Sequence, residues 1–274
     1  MEENQMLKTI LNDLNFPEGP AFDSNGDLWF VEIHGGTVGR LKKNFELKRF
    51  KIEGGRPNGL AVDSRDKIWF CDSGNNRISV LDPDTGDVKT VADSVGGETL
   101  NQPNDLAFDS AGNVVFTCPG SSRKEPTGYV CAITSKGVKK IADGKYFPNG
   151  LAFSADGKTL YIAETYRHRI WKGDWNAEKA EWTNAAPWAE VGGPIGPDGM
   201  AFGNDGNLYV AVYASRHIKA VSPEGLVVKM YELGGNNPTN CAFAPEGGLV
   251  VTEAEMGRLH YIDNKVHGVR LFKK

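Results

Sequence analysis

The stretch Pro57-Asn58-Gly59-Leu60-Ala61-Val62 recurs in altered form five more times along a chain of 274 residues. Repeats of this kind are spaced 40 to 49 residues apart from one start to the next. That period is typical of β-propeller blades, each of which contains four strands. Six copies therefore predict a ring of six blades. The other copies begin at Pro17, Pro103, Pro148, Pro197 and Pro238.

Each copy is followed by a turn and then by a second strand-like segment. The turns are rich in Asp, Asn and Gly, which supply hairpin geometry, and the segments after them are rich in aromatic and β-branched residues. No part of the chain has a sustained helical period. The sequence predicts an all-β fold, a six-bladed β-propeller with four-stranded antiparallel blades, formed by residues 1–274 as a single domain. The second segments are residues 28–32, 68–72, 114–118, 160–164, 208–212 and 249–253.

Two regions depart from the repeat. The stretch from Trp171 to Trp188 is the least regular and is predicted to be a long loop. Residues 7–13 and 269–272 both resemble the outermost strand of a blade, which makes one such strand too many for six blades. One chain end is therefore expected to complete the last blade, because closure removes an exposed sheet edge. The sequence leaves both ends as candidates.

Composition argues against several classes of partner. The formal net charge of -4 disfavours nucleic acid and anionic membranes, because both bind basic surfaces. No apolar run is long enough to cross a bilayer, and residues 1–5 do not resemble a secretory signal, which predicts a cytoplasmic protein. Almost no residues lie outside the six repeating units, each of which runs from one copy to the next, so no obligate protein partner is expected. The four cysteines, expected to be buried thiols without metal-binding spacing, are Cys71, Cys118, Cys131 and Cys241.

The second position of each copy carries the candidate chemistry. The first strand of a propeller blade lines the central channel, so these six side chains are expected to face one mouth of it. Carboxylate and amide oxygens suit Ca²⁺, Mg²⁺ or Mn²⁺, and two carboxylates match the charge of one divalent cation. The alternative, preferred for Asn58, is an amide that only bonds to its own turn. The six residues are Glu18, Asn58, Asn104, Asn149, Asp198 and Thr239.

Four of these positions carry a resemblance to a known family. The order Glu18, Asn104, Asn149, Asp198 in blades one, three, four and five resembles the gluconolactonase and senescence-marker-protein (regucalcin) family, to which diisopropyl-fluorophosphatase and related lactonases are similar. The resemblance spans essentially the whole chain. It implies that the four residues bind one divalent cation, with Ca²⁺ preferred and Mg²⁺, Mn²⁺ or Zn²⁺ as alternatives. It also implies hydrolysis of lactones, or of organophosphates in some members, with Asp198 as general base.

One position departs from the family. Sugar-lactonase members carry an arginine two residues before the blade-three Asn, where it contacts substrate, whereas this chain has Gln102. Arg123 and Lys124, in the loop after the second strand of blade three, are candidates to replace it. The predicted substrate-binding residues are therefore Asn104, Gln102, Arg123 and His34, and His34 is either a proton-shuttling group or an ordinary loop histidine.

The leading hypothesis is a metal-dependent hydrolase that opens the lactone ring of a small-molecule substrate. The cation would polarise the carbonyl oxygen and activate water. Two alternatives keep the cation and change the reaction, to organophosphate hydrolysis or lactone isomerisation. A third is a non-catalytic interaction propeller, because Pro57–Val62 and Ile68–Asp72 also resemble an NHL-type blade. Glu18 and Asp198 favour the enzyme, since an interaction propeller has no need of two carboxylates in its channel.

A second set of acidic residues is assigned to structure. An acidic residue ends the second strand in four of the blades, and an arginine follows in the next strand. We expect ion pairs between neighbouring strands there rather than catalysis. The expected pairs are Glu32 with Arg40, Asp72 with Arg77, Glu164 with Arg169 and Glu253 with Arg258.

Overall fold

Short strands joined by tight turns make up the computed structural model, which describes residues 6–273. The strands form six antiparallel sheets of four strands each and one two-stranded hairpin. The first strands of successive blades pack against one another around a central channel. The fold is a six-bladed β-propeller, which confirms the prediction from the repeat.

The strands are numbered along the chain. Strand β1 is Met6–Leu11. Blade one contains β2 (Pro17–Phe22), β3 (Leu28–Glu32), β4 (Thr37–Leu41) and β5 (Leu47–Lys51). Blade two contains β6 (Pro57–Val62), β7 (Ile68–Asp72), β8 (Arg77–Leu81) and β9 (Val88–Ala92). The hairpin consists of β10 (Ser94–Val95) and β11 (Glu98–Thr99). Blade three contains β12 (Leu106–Phe108), β13 (Val114–Cys118), β14 (Gly128–Thr134) and β15 (Gly137–Lys145).

The second half of the ring follows the same order. Blade four contains β16 (Pro148–Phe153), β17 (Thr159–Glu164), β18 (Arg169–Asn176) and β19 (Glu181–Glu190). A single 3-10 turn, Thr165–Arg167, lies between β17 and β18. Blade five contains β20 (Gly196–Phe202), β21 (Leu208–Tyr213), β22 (His217–Val221) and β23 (Val227–Glu232). Blade six contains β24 (Pro238–Phe243), β25 (Leu249–Glu253), β26 (Arg258–Asp263) and β1. The six predicted second strands agree with these bounds to within one residue at either end.

The core is divided among the six contacts between neighbouring blades. Each contact buries one cluster of aliphatic and aromatic side chains. Burial of this apolar surface is the main term that holds the blades together. The large aromatic residues at matched places in the second strands all belong to these clusters, as the sequence indicated. They are Trp29, Trp69, Phe116, Tyr161 and Tyr209.

The amino-terminal strand closes the ring. Strand β1 pairs with β26 in antiparallel register, so that blade six is assembled from both ends of the described chain. Residues 269–272, the other candidate, do not form a strand. They cross the opposite mouth of the channel, where the Val269 amide donates to the Phe202 carbonyl at 3.1 Å and Phe272 packs on the blade cores. An apolar cavity of about 200 Å³ lies beneath this segment.

The prediction of a loop from Trp171 to Trp188 is wrong. These residues form most of β18 and β19, the long outer hairpin of blade four. Its tryptophans are structural, because the indole Nε1 of Trp175 donates to Asp109 at 3.1 Å and that of Trp182 donates to the Leu160 carbonyl at 3.1 Å. The irregular sequence therefore reflects tryptophans that bond within blade four and to blade three, rather than a loss of strand structure.

Two further expectations concern the buried thiols and the membrane. The four cysteines are buried and free, as the sequence predicted. Across residues 6–273 no helix is long and apolar enough to cross a membrane.

Candidate active site

In four of the six blades, a break in strand register lies beside the second residue of the repeat, and that residue lines the channel mouth. In β2 the pairing with β3 shifts between Glu18 and Ala21, and comparable shifts occur near the start of β6, β16, β20 and β24. A β-bulge re-aims the side chain next to it and bends the strand. The repeated Pro-X-Gly pattern therefore produces a ring of polar side chains at the entrance of the inner strands.

These side chains open into a cavity of about 600 Å³ at one mouth of the channel. Its walls come from the strand ends and connecting loops of five blades. The four predicted cation ligands and the other three predicted substrate-binding residues all lie along this one cavity. They are Glu18, Asn104, Asn149 and Asp198 together with Gln102, Arg123 and His34.

The ring differs from the expectation at one position. Asn58 lines the cavity, whereas Thr239 does not. The Thr239 hydroxyl is buried and donates to the Pro17 carbonyl at 2.8 Å, tying blade six to blade one. In blade six the next residue, Asn240, turns into the channel instead, and its Nδ2 donates to Glu18 Oε2 at 3.0 Å.

Three carboxyl groups are buried close together in the channel. Glu18, Asp198 and Asp105 are each less than a tenth exposed. Burial, followed by the charge of Asp105, raises the pKa of Glu18 to about 8, against hydrogen bonds from Asn240 and Gly19. Burial likewise raises the pKa of Asp105 to about 7. Burial, then the charges of Glu18 and Asp105, raises the pKa of Asp198 well above its ordinary value.

No cationic side chain of the described residues relieves this repulsion. None of the three carboxylates forms a salt bridge, and the groups that lower their pKa values are amides and backbone N–H groups. Buried carboxylates are normally paired with a cation or bound to a metal. The channel floor therefore has the charge balance of a cation site.

Two amide side chains on the cavity wall are placed to offer an oxygen to a cation. Asn149 Nδ2 donates to Thr165 Oγ1 at 3.2 Å, and the same amide hydrogen-bonds to Asp198. Thr165 in turn donates to the Pro197 carbonyl at 2.8 Å, which fixes the amide orientation. With both amide hydrogens engaged, Asn149 presents its oxygen as an acceptor. Asn104 adds a second amide to the cavity wall.

This donor set fits a hard divalent cation. Two carboxylates and two amide oxygens suit Ca²⁺ or Mg²⁺, whereas zinc favours histidine and cysteine. In the part of the chain that the structure describes, no three His, Cys, Asp or Glu side chains converge as a metal-binding group. A ligand set built on Glu18 and Asp198 is therefore completed by amide oxygens. Asp105 lies one layer deeper, along the apolar cavity at the other mouth.

Sequence reasoning missed Asp105 and Asn240, although a signal was present. The third position of the repeat is Gly in the other four blades, because a larger residue there would overlap with the neighbouring blade. A Cβ on Gly59 would collide with Asp105, and one on Gly199 would collide with Asn240. In blades three and six this position carries a polar residue instead of Gly, and those two side chains, Asp105 and Asn240, occupy the channel axis.

The upper wall of the cavity combines aromatic rings with cationic side chains. Phe147 and Tyr166 meet edge to face with their ring centroids 5.4 Å apart, and the Arg123 guanidinium lies 5.7 Å from each ring centroid. On the opposite side, the exposed His34 ring packs 4.8 Å from the Phe16 ring. Such a wall presents apolar surface to a substrate while leaving charged groups at the rim.

The acidic residues that end the second strands have structural partners, as expected, but not always the predicted ones. Asp72 pairs with Arg77 at 3.2 Å and Glu164 with Arg169 at 2.7 Å. The other two assignments are wrong. Glu32 pairs with Arg49 of the outermost strand, because Arg40 binds Asp27, and Glu253 accepts backbone N–H groups of Asn237, Glu255 and Met256.

Comparison with known proteins bears on the whole chain. The family model described as SMP-30/Gluconolactonase/LRE-like region matches residues 16–255. Diisopropyl-fluorophosphatase of Loligo vulgaris is 30% identical over 283 residues, covering 91% of this chain and 89% of that protein. Gluconolactonase of Zymomonas mobilis is 26% identical over 282 residues, covering 90% of this chain and 78% of that protein.

A solved structure extends the comparison to the fold. Regucalcin from Agrobacterium tumefaciens, described as a calcium-binding protein, superimposes with a TM-score of 0.80 at 20% sequence identity. The match covers 95% of this chain and 93% of that one. The likeness shows a shared propeller architecture.

Proposed function

Because this chain belongs to the SMP-30/gluconolactonase/LRE-like family, we propose that it is a divalent-metal-dependent hydrolase that opens a lactone ring. The observation that carries the proposal is the buried cluster of Glu18, Asp198 and Asp105, which has no cationic side chain within the described residues. A divalent cation in the cavity would balance the two charges of Glu18 and Asp198, next to a chamber large enough for a small molecule.

Glu18, Asn104, Asn149 and Asp198 would hold the cation, with Ca²⁺ preferred because it accepts neutral amide oxygens in irregular geometry. A bound divalent cation supplies a Lewis acid that polarises a lactone carbonyl and lowers the pKa of water. The description of the regucalcin structure as a calcium-binding protein supports the choice of ion.

Side chains of this protein would accept the proton of the attacking water and deliver it to the leaving group. Asp198 accepts a proton from the attacking water as the water oxygen bonds to the carbonyl carbon. The bond between that carbon and the ring oxygen then breaks, and the proton is delivered to the departing alkoxide, leaving a hydroxy acid. Asn240 and the Gly19 amide, which both donate to Glu18, keep that carboxylate oriented throughout.

Gln102, Arg123 and His34 would contact the substrate from the rim, together with Asn104. The aromatic pair of Phe147 and Tyr166 would pack on the carbon skeleton. We assign no proton transfer to His34, because it is exposed and its ring packs on Phe16.

A second candidate reaction is hydrolysis of an organophosphate at the same cation. Its support is the 30% identity with diisopropyl-fluorophosphatase over 91% of this chain. Phosphoryl and acyl oxygens both develop negative charge that the cation and the amides can stabilise.

The test is metal analysis of the purified protein followed by turnover assays. A panel of lactones and diisopropyl fluorophosphate should be assayed with Ca²⁺ and with chelator. We expect turnover of at least one lactone that chelator abolishes and Ca²⁺ restores. Turnover of the phosphofluoridate alone would favour the second candidate. Absence of stoichiometric metal and of all turnover would favour an interaction propeller.

A further inference from the structure

Along the cavity of about 600 Å³, the acidic side chains lie at the floor and the basic side chains lie at the rim. Glu18 and Asp198 are its only acidic residues in the part of the chain that the structure describes, and both are buried at the floor. The rim carries the two arginines Arg56 and Arg123, both exposed, and no carboxylate. Once a cation neutralises Glu18 and Asp198, the charged side chains that remain among the described lining residues are the two arginines.

Arg123 is held in place without a carboxylate partner. Its guanidinium lies over Phe147 and Tyr166, 5.7 Å from each ring centroid, and it forms no salt bridge with any described residue. The preceding residue, Ser122, is fully buried, and its hydroxyl donates to the Pro119 carbonyl at 2.6 Å and accepts from the Phe147 amide at 2.9 Å. The loop therefore anchors Arg123 against the ring pair.

Two arginines elsewhere in the blades each have a carboxylate partner. Arg77 binds Asp72 and Arg169 binds Glu164, in both cases through Nε. A guanidinium without such a partner can offer two parallel N–H groups, which match the two oxygens of a carboxylate in one plane. Arg123 lines the cavity and has no carboxylate partner among the described residues, so its guanidinium is available to a substrate carboxylate.

We propose that the substrate is a lactone that bears a carboxylate, with Arg123 as the residue that recognises it. This inference rests on the proposed function, because the lactone carbonyl must sit near Glu18 and Asp198 at the floor. The ring carbons then pack against Phe147 and Tyr166, and a substituent on the far side of the ring reaches the rim. Arg56 adds positive charge to the same rim.

Binding of a matched pair of inert analogues tests the inference separately from catalysis. Cyclopentanone carboxylate and cyclopentanone carboxamide keep the carbonyl and the ring, differ in charge, and cannot be hydrolysed. Calorimetry on the Ca²⁺-loaded protein should show the carboxylate binding at least about tenfold more tightly, since a hydrogen bond to a charged group contributes about 1.5–3 kcal/mol. Arg123→Gln should abolish that preference.

Lys124→Gln is the matched control, because it removes the same charge from the adjacent position of the same loop while Lys124 does not line the cavity. It should retain at least half of the preference measured as a ratio of affinities. Loss of the preference in both variants would mean a general field rather than recognition by Arg123, and would overturn the proposal. Equal binding of the two analogues, or no binding of either, would also overturn it.

Hydrolysis of the corresponding lactone carboxylate and lactone carboxamide separates this proposal from the proposed function. If neither lactone is hydrolysed while the carboxylate analogue still binds through Arg123, lactone opening is wrong and anion recognition stands. If both are hydrolysed at equal kcat/KM by the native protein, lactone opening stands and the carboxylate specificity is wrong.

Discussion

Asn240 Nδ2 donates a hydrogen bond to Glu18 Oε2 at 3.0 Å, although the two residues are 222 positions apart and belong to different blades. The same amide also hydrogen-bonds to Asp105. One neutral side chain therefore bridges two buried carboxylates on the channel axis. Because an amide can donate to both but cannot neutralise either, the bridge orients the carboxylates and leaves their charge for a cation.

Replacing the bridging amide should weaken cation binding. In Asn240→Ala, Glu18 loses a donor that favours its charged form, so its pKa rises further and the site is more often protonated. We expect the Ca²⁺ dissociation constant at pH 7 to rise about tenfold, by comparison with the roughly 1.5–3 kcal/mol of a hydrogen bond to a charged group. Calorimetric titration with Ca²⁺ measures the change. Asn44→Ala, on the Lys42–Glu46 turn, is the control, and an unchanged constant in Asn240→Ala would contradict the bridge.

Cation binding should release protons near neutral pH. The metal-free protein holds Glu18 and Asp105 with pKa values of about 8 and about 7, so both are largely or partly protonated at pH 7. A divalent cation favours the ionised forms, and the apparent affinity should therefore rise as pH increases from 6 to 8. Titration at pH 7 in two buffers of different ionisation enthalpy should show net proton release. A binding enthalpy that is independent of the buffer would contradict this expectation.

Substitution of Glu18 or of Asp198 should abolish hydrolysis and leave the fold intact. Asp198→Asn removes the proposed proton acceptor, and Glu18→Gln removes one of the two charges of the proposed cation site. We expect kcat/KM to fall by at least about a hundredfold in each case, since general-base catalysis alone contributes about 10²–10⁴-fold. Circular dichroism reports the fold, and Glu178→Gln, on an exposed turn of blade four, serves as the charge-loss control. Activity within twofold of the native protein in either variant would refute the assignment.

His260 should make the native state sensitive to acid. Its ring is 1% exposed, its Nδ1 lies 3.2 Å from Thr9 Oγ1, and its Nε2 has no partner among the described residues. Burial lowers its pKa from 6.5 to about 4. The unfolded chain then binds the extra proton between pH 6.5 and pH 4, so the free energy of unfolding falls as pH decreases through that window.

The expected loss is up to about 3 kcal/mol, because each pKa unit corresponds to about 1.4 kcal/mol. Urea unfolding at pH 4.5 and pH 7 measures it. His260→Gln should lose less stability on acidification than the native protein, whereas His267→Gln, at an exposed histidine, should lose as much. Equal acid sensitivity of the native protein and His260→Gln would show that other groups control it.

Much of the fold could be predicted from the sequence because its determinants are local. The strand at residues 28–32 is bounded by an Asp-Ser-Asn-Gly turn and rich in aromatic and β-branched residues, and the same holds in the other blades. The hairpin between Trp171 and Trp188 was not predictable in this way. Its strands are stabilised by indole N–H groups that bond to Asp109 and to the Leu160 carbonyl. Because these partners are distant in the sequence, the local pattern of residues does not indicate such contacts.

The candidate site was predictable in part for the same reason. Glu18 and Asp198 appear at a repeated position, and repetition indicates that they occupy equivalent places in the ring. Asp105 and Asn240 stand one residue later, where their influence depends on the blade that faces them. The exclusion of Thr239 from the cavity depends on its hydrogen bond to Pro17, across the junction between the last blade and the first.

By itself the sequence determined the number of blades, the strand order within each blade and the ring of polar residues at the start of the inner strands. These features follow from turn chemistry and from short runs of aromatic and β-branched residues, which act over a few residues. The tertiary structure alone decided that β1 closes blade six, that Glu18 meets Asn240, and that three carboxylates share one desolvated space. Ring closure brings together residues from opposite ends of the chain, and the resulting burial, rather than any local pattern, raises the carboxyl pKa values.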